Sequence, residues 1–484
     1  MLTPASAQQA ATSRPSTVLP AQVAGSFYLG DPAELRQQVN RFMTANPVLG
    51  LRGIRAMIVP HAGHQFSGAV AANAFRELGT TAKTVFILAD NHSAEANYTG
   101  VSFPNAGAME VAGVQIPLSP ICWQLAAAAP DLFCNNTAAH QAHMVEVELP
   151  FLLASRQWPQ KPNFEIVPLV LSGNLSEPQL AKLADLLNAH VKPDTLFVVS
   201  TDLSHYQSYN TARQRDYGTI AHMLAKEPND LNHLSCCGLQ SVCTILNLAG
   251  RQGWETNFLA YDTSATASGD VQRVVGYTAI ALTEPLSFTA EEQKTLLEYA
   301  RKVVETKVRT GGEVPADDNW LNQFPIFRLN RAVFVTLEEN GELRGCIGSL
   351  GNPDNPITTL EPIYESVRSN AVSAAINDPR FRPVSTEELG KLSYTISILT
   401  FSARVKAEPA EFTNVLRPGK DGAILTINGR RSTFLPEVWK QIPQPAEFLS
   451  HLCLKQGSPP DAWKSNDAIM HTYTAFVMHD RGKP

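Results

Sequence analysis

Short apolar runs alternate with helix-like stretches through the first half of the chain. Apolar runs bounded by turn residues and separated by amphipathic segments are typical of strands that alternate with helices. The predicted strands cover residues 54–59, 84–88, 164–171, 196–200 and 274–282. The first half is therefore predicted to be an α/β domain.

The second half of the chain contains hairpin patterns. Apolar runs adjoin the dipeptides Asn340-Gly341 and Asn428-Gly429, and Asn-Gly is a preferred pair in two-residue turns between antiparallel strands. Helical spacing predicts three helices among these strands, at residues 290–308, 359–376 and 446–455. The second half is therefore predicted to be an α+β domain with antiparallel strands.

A helix start marks the predicted boundary between the two domains. Thr289 and Glu292 have the spacing of a capping box, in which each side chain accepts a hydrogen bond from the other residue's backbone amide. Apolar residues then recur at helical spacing, so a new helix is expected there. The boundary is placed near residue 285, with domains at 19–284 and 288–484 and a disordered tail at 1–18.

Composition and charge narrow the class of protein. Of the 484 residues, 44% are apolar and 17% are charged, which is the balance of a globular chain long enough for two domains. A net charge of −6 without a basic stripe disfavours nucleic acid, so small molecules, peptides or proteins are the expected partners. Seven cysteines, no secretory leader and no long apolar run predict a cytoplasmic protein that does not enter a membrane.

Residues with acid-base or metal-binding chemistry follow three of the predicted strands. His61 follows the first, His92 follows the second, and Asp202 and His205 follow the strand at 196–200. In an open α/β sheet the ligand site lies beyond the carboxyl ends of the strands. One such histidine is more often a hydrogen-bonded packing residue, but their repetition indicates a site. Two histidines and an anionic third ligand are typical of a reactive non-haem metal site.

A cysteine is one candidate for the anionic ligand. Cys237 precedes a predicted helix, and a helix N-terminus is expected to lower the pKa of its thiol. The alternative is that Cys236, Cys237 and Cys243 are small buried residues with an apolar role. Both interpretations are consistent with the residues alone.

A second group of possible ligands is His140, His143, Glu146 and Glu148. His143 and Glu146 are three residues apart, a spacing that brings two side chains to one face of a helix. A solvated helix face would have the same pattern. Contacts that support the metal ligands, rather than ligation itself, are the favoured interpretation.

With these residues the first domain resembles the Memo family. The resemblance runs from about residue 20 to residue 283, through segments that follow one another in the family's order: AGSFYLGDPAELRQQV, IVPHAGHQFSGAVAANAF, HMVEVELPFLL, STDLSHY, CCGLQSV and SGDVQRVVGY. That family is similar in fold to the class III extradiol dioxygenases, of the protocatechuate dioxygenase catalytic-subunit type, which hold Fe(II) with two histidines and a glutamate. The resemblance implies this α/β fold here.

The resemblance also implies roles for particular residues. The implied metal ligands are His61, His92 and Cys237. Asp202 and His205 match an acid-base pair beside the metal, and His143 and Glu146 match its polar surroundings. Because a thiolate replaces the glutamate of the dioxygenases, the site favours softer metals. Fe(II) is expected, with Cu or Zn as alternatives.

Two positions depart from the family's pattern. His64 stands where the family usually has an aromatic residue. The pair Ala89-Asp90 stands where the family usually has Gly-Pro. An additional imidazole and an additional carboxylate near the ligands are expected to alter metal preference or protonation. The family's reaction is therefore not transferred to this chain.

The second domain resembles the AMMECR family over about residues 288–484. The matching segments are FVTLEENGELRGCIGSL, NDPRF, LSYTISILT, DGAILTINGRRSTFLPEVW and HLC, of which LRGCIG is the most specific. In prokaryotes the two families and a radical S-adenosylmethionine protein form the AmmeMemoRadiSam system, and this chain resembles a fusion of two of its components. A radical S-adenosylmethionine enzyme is therefore the implied partner.

Cys346 is the candidate catalytic residue of the second domain. It lies on a predicted strand with Arg344 nearby, and a cation can stabilise a reactive thiolate. The alternative is a bulged strand in which Gly345 permits close packing. For Arg430 and Arg431, a solvated edge strand is the alternative to a functional role.

The sequence supports three hypotheses of function. The leading one is a dioxygenase-like, metal-dependent oxidoreductase in which His205 acts as acid or base and Asp202 orients it. The second is a binding module that holds a peptide or a metal without turnover. The third is metal-free nucleophilic catalysis by Cys237, which requires a histidine base within hydrogen-bond distance.

Overall fold

The computed structural model describes residues 15–79, 81–227, 234–353 and 355–480, and it divides the chain into two compact units between Pro285 and Leu286. Most of the predicted tail, residues 1–14, lies outside the described residues. Val18, which was assigned to that tail, belongs to a strand. Among the described helices, none is long and apolar enough to cross a membrane.

The first unit is an α/β fold, as predicted. Its strands are β1 Val18–Leu19, β2 Ile54–Val59, β3 Thr84–Asp90, β4 Val101–Phe103, β5 Ala108–Val111, β6 Val114–Pro117, β7 Phe133–Asn135, β8 Glu165–Leu171, β9 Thr195–Ser200, β10 His205–Gln207, β11 Glu255–Thr263 and β12 Val274–Thr283. Its helices are α1 Pro32–Thr44, α2 His64–Phe75, α3 Ile121–Ala128, α4 His143–Glu146, α5 Leu149–Ala154, α6 Glu177–Asn188, α7 Tyr209–Leu224, α8 Leu239–Gln252 and α9 Ala265–Ser268, with a 3-10 helix at Thr137–His140.

One large mixed sheet organises this unit. Its order is β10-β12-β2-β9-β3-β8-β4-β7, with β11 paired to β12, and β1, β5 and β6 form a separate small sheet. The central strands β2, β9, β3 and β8 run parallel and their inner residues are buried, which explains their continuous apolar sequences. Because the carboxyl ends of β2, β9 and β3 lie at one edge, the loops that follow these strands meet there.

The second unit is an α+β fold with antiparallel strands, as predicted. Its strands are β13 Val333–Glu339, β14 Glu342–Ser349, β15 Leu392–Leu399, β16 Ala403–Arg404, β17 Gly422–Ile427, β18 Arg430–Phe434, β19 Ile469–Tyr473 and β20 Ala475–His479. Its helices are α10 Ala290–Thr310, α11 Asp318–Gln323, α12 Ile363–Ile376, α13 Phe412–Val415 and α14 Pro445–Lys455, and 3-10 helices lie at Pro325–Arg328, Pro356–Thr358, Leu389–Lys391, Pro409–Glu411, Pro436–Lys440 and Ala462–Lys464. In the described ranges its strands form two sheets, in the orders β14-β13-β15-β20 and β16-β19-β17-β18.

Both predicted hairpins and the predicted capping box are present in the second unit. Asn340 and Asn428 have φ angles of 55° and 49°, and the glycine after each is also left-handed, as a type I′ turn requires. The capping box closes the start of α10. The helix predicted to start at 359 begins instead at Ile363, because Pro362 disfavours helical backbone at the residue before it.

Candidate metal centre

Three side chains that could hold a metal ion converge at the carboxyl edge of the large sheet. His61 follows β2, His92 follows β3, and Cys237 lies just before α8. Their ligand atoms all lie within 4.8 Å of one another, and His61 Nε2 is 3.2 Å from Cys237 Sγ. Two imidazoles and a thiol suit Fe, Cu or Zn, so the donor set fits a single metal ion.

Both histidines of this trio are held through their Nδ1 atoms. His61 Nδ1 lies 3.0 Å from Ser200 Oγ, which in turn donates to a Glu148 carboxyl oxygen at 2.9 Å. His92 Nδ1 lies 2.8 Å from the carbonyl oxygen of Asp90. Partners of this kind fix the orientation of metal-binding histidines and leave Nε2 as the ligand atom.

The Asp90 carboxylate connects the loop of His92 to the helix that follows Cys237. It accepts hydrogen bonds from the backbone amides of Gln240 and Ser241, at 2.9 and 3.0 Å, and from the Ser241 hydroxyl at 2.7 Å. These amides belong to the first turn of α8, where N–H groups have no partner within the helix. Asp90 therefore caps this helix and belongs to the framework of the centre rather than to its ligands.

His64 does not line the site. Its Nε2 lies 2.9 Å from the carbonyl oxygen of Val147, and its ring centre is 4.8 Å from that of Phe151. The side chain is 2% exposed, and burial lowers its pKa to about 4. This imidazole is therefore a neutral packing residue, and the buried His140, whose ring lies beside Ser102, is another.

A cavity of about 740 Å³ opens beside the three ligands. Its wall includes the predicted residues His143, Asp202 and His205 together with aromatic rings, among them Phe27 and Phe66. A cavity of this size, with apolar walls and a few polar groups, suits a small organic molecule. The structure therefore brings most of the predicted site residues of the first domain to one place.

Asp202 and His205 have separate hydrogen-bond partners. Asp202 Oδ1 accepts from the backbone amides of His61 and Ala62, at 2.8 and 3.2 Å, and so shapes the loop that carries the first ligand. His205 Nδ1 lies 2.9 Å from the carbonyl oxygen of Leu203. The interpretation that Asp202 orients His205 is wrong, because the Leu203 carbonyl holds the ring instead.

His143 and Glu146, at the two ends of α4, face different surroundings. The His143 ring stacks on Phe27 with a centre distance of 4.1 Å, and its centre lies 5.1 Å from that of His61. Glu146 accepts a hydrogen bond from the Tyr28 hydroxyl at 2.5 Å. It also accepts from the backbone amides of two residues that come shortly before Tyr28 in the chain. His143 therefore lines the cavity, whereas Glu146 anchors the segment that carries Phe27.

Burial sets the protonation of the cavity wall. Burial, and then the neighbouring His143 and His92, lower the pKa of His61, and burial lowers the pKa of His143 to about 4. The pKa of His205 is also lowered by burial, whereas burial raises the pKa of Asp202 to about 7. The three imidazoles with lowered pKa values are therefore neutral at pH 7, and neutral imidazole is the form that binds metal.

The predicted lowering of the Cys237 pKa is wrong. Although α8 begins two residues later, at Leu239, burial and then Asp202 raise the pKa of the thiol to about 12. Loss of hydration disfavours the thiolate, and the nearby Asp202 carboxylate disfavours it further. Burial also raises the pKa of Cys236 and of Cys243, which are not part of the trio.

The sequence matches two families of known proteins. A family model described as "Memo-like protein" matches residues 20–281, and one described as "AMMECR1" matches residues 297–478. The chain belongs to the Memo-like protein family. Its second half is an AMMECR1 domain, so the predicted fusion of the two is confirmed.

Individual relatives match part of this Memo-like chain. A MEMO1 family protein of Sulfolobus acidocaldarius is 29% identical over 283 residues, which are 53% of this chain and 96% of that protein. A protein of Methanothermobacter thermautotrophicus is 35% identical over 200 residues, which are 41% of this chain and 98% of that protein. The crystal structure of an uncharacterized protein of Pyrococcus horikoshii covers 40% of this chain and 94% of that one, with 30% identity and a TM-score of 0.37.

Cys346, the candidate of the AMMECR1 domain, lacks the predicted cation. Arg344 is the extra residue of a bulge between β13 and β14, and its guanidinium pairs with Glu388 at 2.9 Å. The Cys346 thiol accepts instead from the Thr336 hydroxyl at 3.2 Å, and burial raises its pKa. The predicted activation of Cys346 by Arg344 is therefore wrong.

The neighbouring glycine explains the local sequence. An added Cβ at Gly345 would lie 2.1 Å from the Ala374 carbonyl oxygen on α12, so β14 can approach this helix only with glycine there. The structure therefore has the bulged, closely packed strand that was the alternative to an activated thiol. Arg430 and Arg431 are exposed on β18, which is an edge strand, as the interpretation of a solvated edge strand predicts.

Phe27, Tyr206 and Arg273 are among the residues of the cavity wall that sequence reasoning missed. Phe27 and Arg273 lie in the segments AGSFYLG and SGDVQRVVGY, which resemble the family, but neither follows a strand of the large sheet. Tyr206 directly follows His205. Proximity to these segments was the available signal, since no periodicity places the three side chains at the cavity.

Proposed function

We propose that this chain is a metal-dependent oxidoreductase, dioxygenase-like in its reaction class, with a metal ion on His61, His92 and Cys237. The observation that carries the proposal is the convergence of these three ligand atoms within 4.8 Å at the sheet edge. The Nδ1 partners of both histidines support it, because they orient the rings for ligation. Fe(II) is the proposed metal, with Cu or Zn as alternatives.

The residues around the ligands would bind and orient the substrate. When bound, the metal would supply Lewis-acid and redox chemistry to a molecule in the cavity. His205 is neutral, and the Leu203 carbonyl holds its Nδ1, so its Nε2 is the atom that would accept or return a substrate proton. His143, fixed against Phe27, would provide a second polar contact. Asp202 would keep the His61 loop in place.

Metal analysis of anaerobically purified protein tests the proposal. We expect about one metal ion per chain in the wild type and almost none in His61→Ala, because three donors are needed to retain it. His205→Ala, which removes a cavity histidine outside the trio, is the matched control and should retain the metal. Circular dichroism should show that both variants are folded. Equal metal content in wild type and His61→Ala would disprove the site.

Oxygen uptake separates an oxidoreductase from a binding module. Metal-loaded protein is incubated with a panel of small organic substrates and peptides, and dissolved oxygen is followed with an electrode. Uptake that requires both substrate and metal supports the oxidoreductase. Bound metal with no uptake across the panel favours a module that binds without turnover.

Metal-free catalysis by Cys237 has one observation in its favour. The distance of 3.2 Å from Sγ to His61 Nε2 is within hydrogen-bond reach. The raised pKa of the thiol and the lowered pKa of the imidazole oppose it, because both disfavour a thiolate-imidazolium pair. Rapid alkylation of Cys237 at neutral pH in metal-free protein would favour this mechanism, whereas protection by metal would favour the proposed centre.

The proposal includes a radical S-adenosylmethionine protein as partner and a small molecule or peptide as substrate. The resemblance of both domains to components of one system supports the partner. Anaerobic affinity purification of the full chain from its own cells, followed by mass spectrometry, tests it. Enrichment of an iron-sulfur protein of that class is the expected result, and its absence from repeated purifications would contradict this part of the proposal.

A further inference from the structure

One sheet of the second unit ends in an edge strand that lacks the usual protection against pairing. In the described ranges the edge strands of its two sheets are β14, β20, β16 and β18. Charged residues, bulges and short length usually keep an edge from pairing with another chain. β14 contains the bulge at Arg344, β16 has two residues, and β18 carries the exposed Arg430 and Arg431. β20 has the sequence AFVMH, without lysine, arginine, carboxylate, proline or glycine, and its register with β15 is unbroken.

The hydrogen bonds at the two ends of β20 show which of its backbone groups face outward. The Thr400 amide donates to the Thr474 carbonyl at 3.0 Å, and the Asp480 amide donates to the Tyr394 carbonyl at 2.8 Å. In an antiparallel pair every second residue bonds to the neighbouring strand, so the even-numbered residues of β20 bond to β15. The backbone groups of the remaining residues point away from β15: Ala475, Val477 and His479. Within the described part of the chain, these outward groups have no hydrogen-bond partner.

A cavity of about 550 Å³ lies against this strand. Its wall includes Ala475 and Val477, two of the residues with outward backbone groups. The charged residues among the described part of its wall are three cations and one carboxylate: Arg417, Lys420, Lys440 and Glu437. The exposed Lys420 has no carboxylate within 4.0 Å among the described residues. The excess of positive charge favours an acidic ligand.

We propose that the β20 edge binds an extended acidic segment of another protein, which adds to the sheet as a further strand. The outward N–H and C=O groups supply main-chain hydrogen bonds, and the cations of the cavity attract carboxylates on the segment. A second copy of this chain suits the edge less well, because pairing β20 with itself brings two copies of the same cationic wall together. The edge belongs to the second unit, so the inference goes beyond the metal centre and does not depend on it.

Fluorescence anisotropy of labelled peptides with the full chain tests the edge. The probes are three acetylated peptides of about seven residues, a length that matches one strand. One alternates glutamate and valine, one alternates lysine and valine, and one is the glutamate peptide with proline in place of two valines. We expect the first to bind most tightly and to weaken as salt is added, because lysine repels the cations and proline cannot donate to the ladder. No binding of the first peptide, or equal binding of all three, would overturn the proposal.

Two variants separate strand addition from attraction between charges. The Val477 amide faces away from β15, so Val477→Pro removes an outward donor without removing a hydrogen bond of the sheet. It should weaken the glutamate peptide by about ten-fold, whereas Val477→Thr keeps the amide and the branched shape and should bind like the wild type. Lys420→Gln should weaken the same peptide by about three-fold at low salt. Lys406→Gln, at an exposed lysine outside the cavity, is its matched control.

Equal binding by the wild type and a folded Val477→Pro would contradict strand addition, and circular dichroism establishes the folding. Hydrogen exchange followed by mass spectrometry does not need this variant. The bound glutamate peptide should slow exchange in β20 and leave the other edge strand β18 unchanged, and slowed exchange elsewhere or nowhere would overturn the proposal. Light scattering of the peptide-free chain tests the second copy. A wild-type dimer that becomes a monomer in Val477→Pro would assign the edge to self-association instead.

Discussion

Cys237 and Cys346 are both half-buried thiols whose pKa is raised by burial, yet their surroundings differ in kind. Cys237 lies beside two histidines from two other segments of the chain, and all three side chains line one cavity. The Cys346 thiol accepts from Thr336, its neighbour across the hairpin of β13 and β14, and the charges of Arg380 and Lys455 also act on it. Two histidine ligand atoms beside the thiol and a shared cavity, rather than the convergence of distant segments, therefore distinguish Cys237 from Cys346.

The sheet topology produces this convergence. Strands β2 and β3 are both parallel neighbours of β9, so the loops that carry His61, His92 and Asp202 leave the sheet at the same edge. The antiparallel sheet around Cys346 has no such edge, because successive strands end on opposite sides. An α/β sheet collects side chains from distant segments, whereas a hairpin mainly brings together neighbours in sequence.

Removing each thiol gives the largest expected difference between the two regions. Cys237→Ala should weaken metal binding by more than about 100-fold, because losing a ligand costs more than losing one of its supporting contacts. Cys346→Ala should retain the wild-type metal content, since its thiol is outside the trio. Elemental analysis after gel filtration measures both. Loss of metal from Cys346→Ala, or its retention in Cys237→Ala, would remove the distinction drawn between the two cysteines.

Adding one methyl group at Gly345 tests the structural explanation of the second region. The new Cβ would lie 2.1 Å from a backbone oxygen of α12, so Gly345→Ala should lower the free energy of unfolding by about 3 kcal/mol. Gly390→Ala, at an exposed glycine with open space around it, is the matched control and should change it by less than about 0.5 kcal/mol. Urea denaturation measures both. Equal stabilities of the two variants would show that close packing does not explain the glycine.

The strands and their end residues could be predicted from the sequence, since buried parallel strands are continuous apolar runs and a residue that follows such a run lies at the sheet edge. His61, His92 and Asp202 were found in this way. The helix cap by Asp90 could not be found, because its amide partners in α8 are 150 residues away along the chain. The Leu203 carbonyl that holds His205 was missed because backbone groups leave no trace in a sequence pattern.

The error about the cysteines has a common physical cause. A helix N-terminus and a nearby arginine are visible in the sequence, and both favour a thiolate. Burial is not visible at a single position, and it raises the pKa of Cys237 and of Cys346. Nor does any sequence pattern indicate that Arg344 forms an ion pair with Glu388, which is 44 residues away.

Breaking the ion pair of Arg344 is expected to have the smallest of these effects. The direction in which the effect on stability changes with pH can also be checked. The hydrogen bond from Arg344 lowers the pKa of Glu388 to about 2, whereas an unfolded chain has a glutamate pKa of about 4.3. A carboxylate with a lowered pKa stabilises the fold above its unfolded pKa, and this contribution is lost as the pH falls toward the folded value. Glu388→Gln should therefore cost about 2 kcal/mol at neutral pH and progressively less between about pH 5 and about pH 2.

Stability curves against pH measure this effect, and Glu342→Gln, at an exposed residue on the same strand as Arg344, is the control that should follow the wild type. The alkylation rate of Cys346 is measured on the same variants. Because Arg344 is paired with Glu388 and the thiol with Thr336, freeing the arginine should leave that rate unchanged. Faster alkylation in Glu388→Gln would mean that Arg344 can act on the thiol, and Cys346 would again be a candidate nucleophile like Cys237.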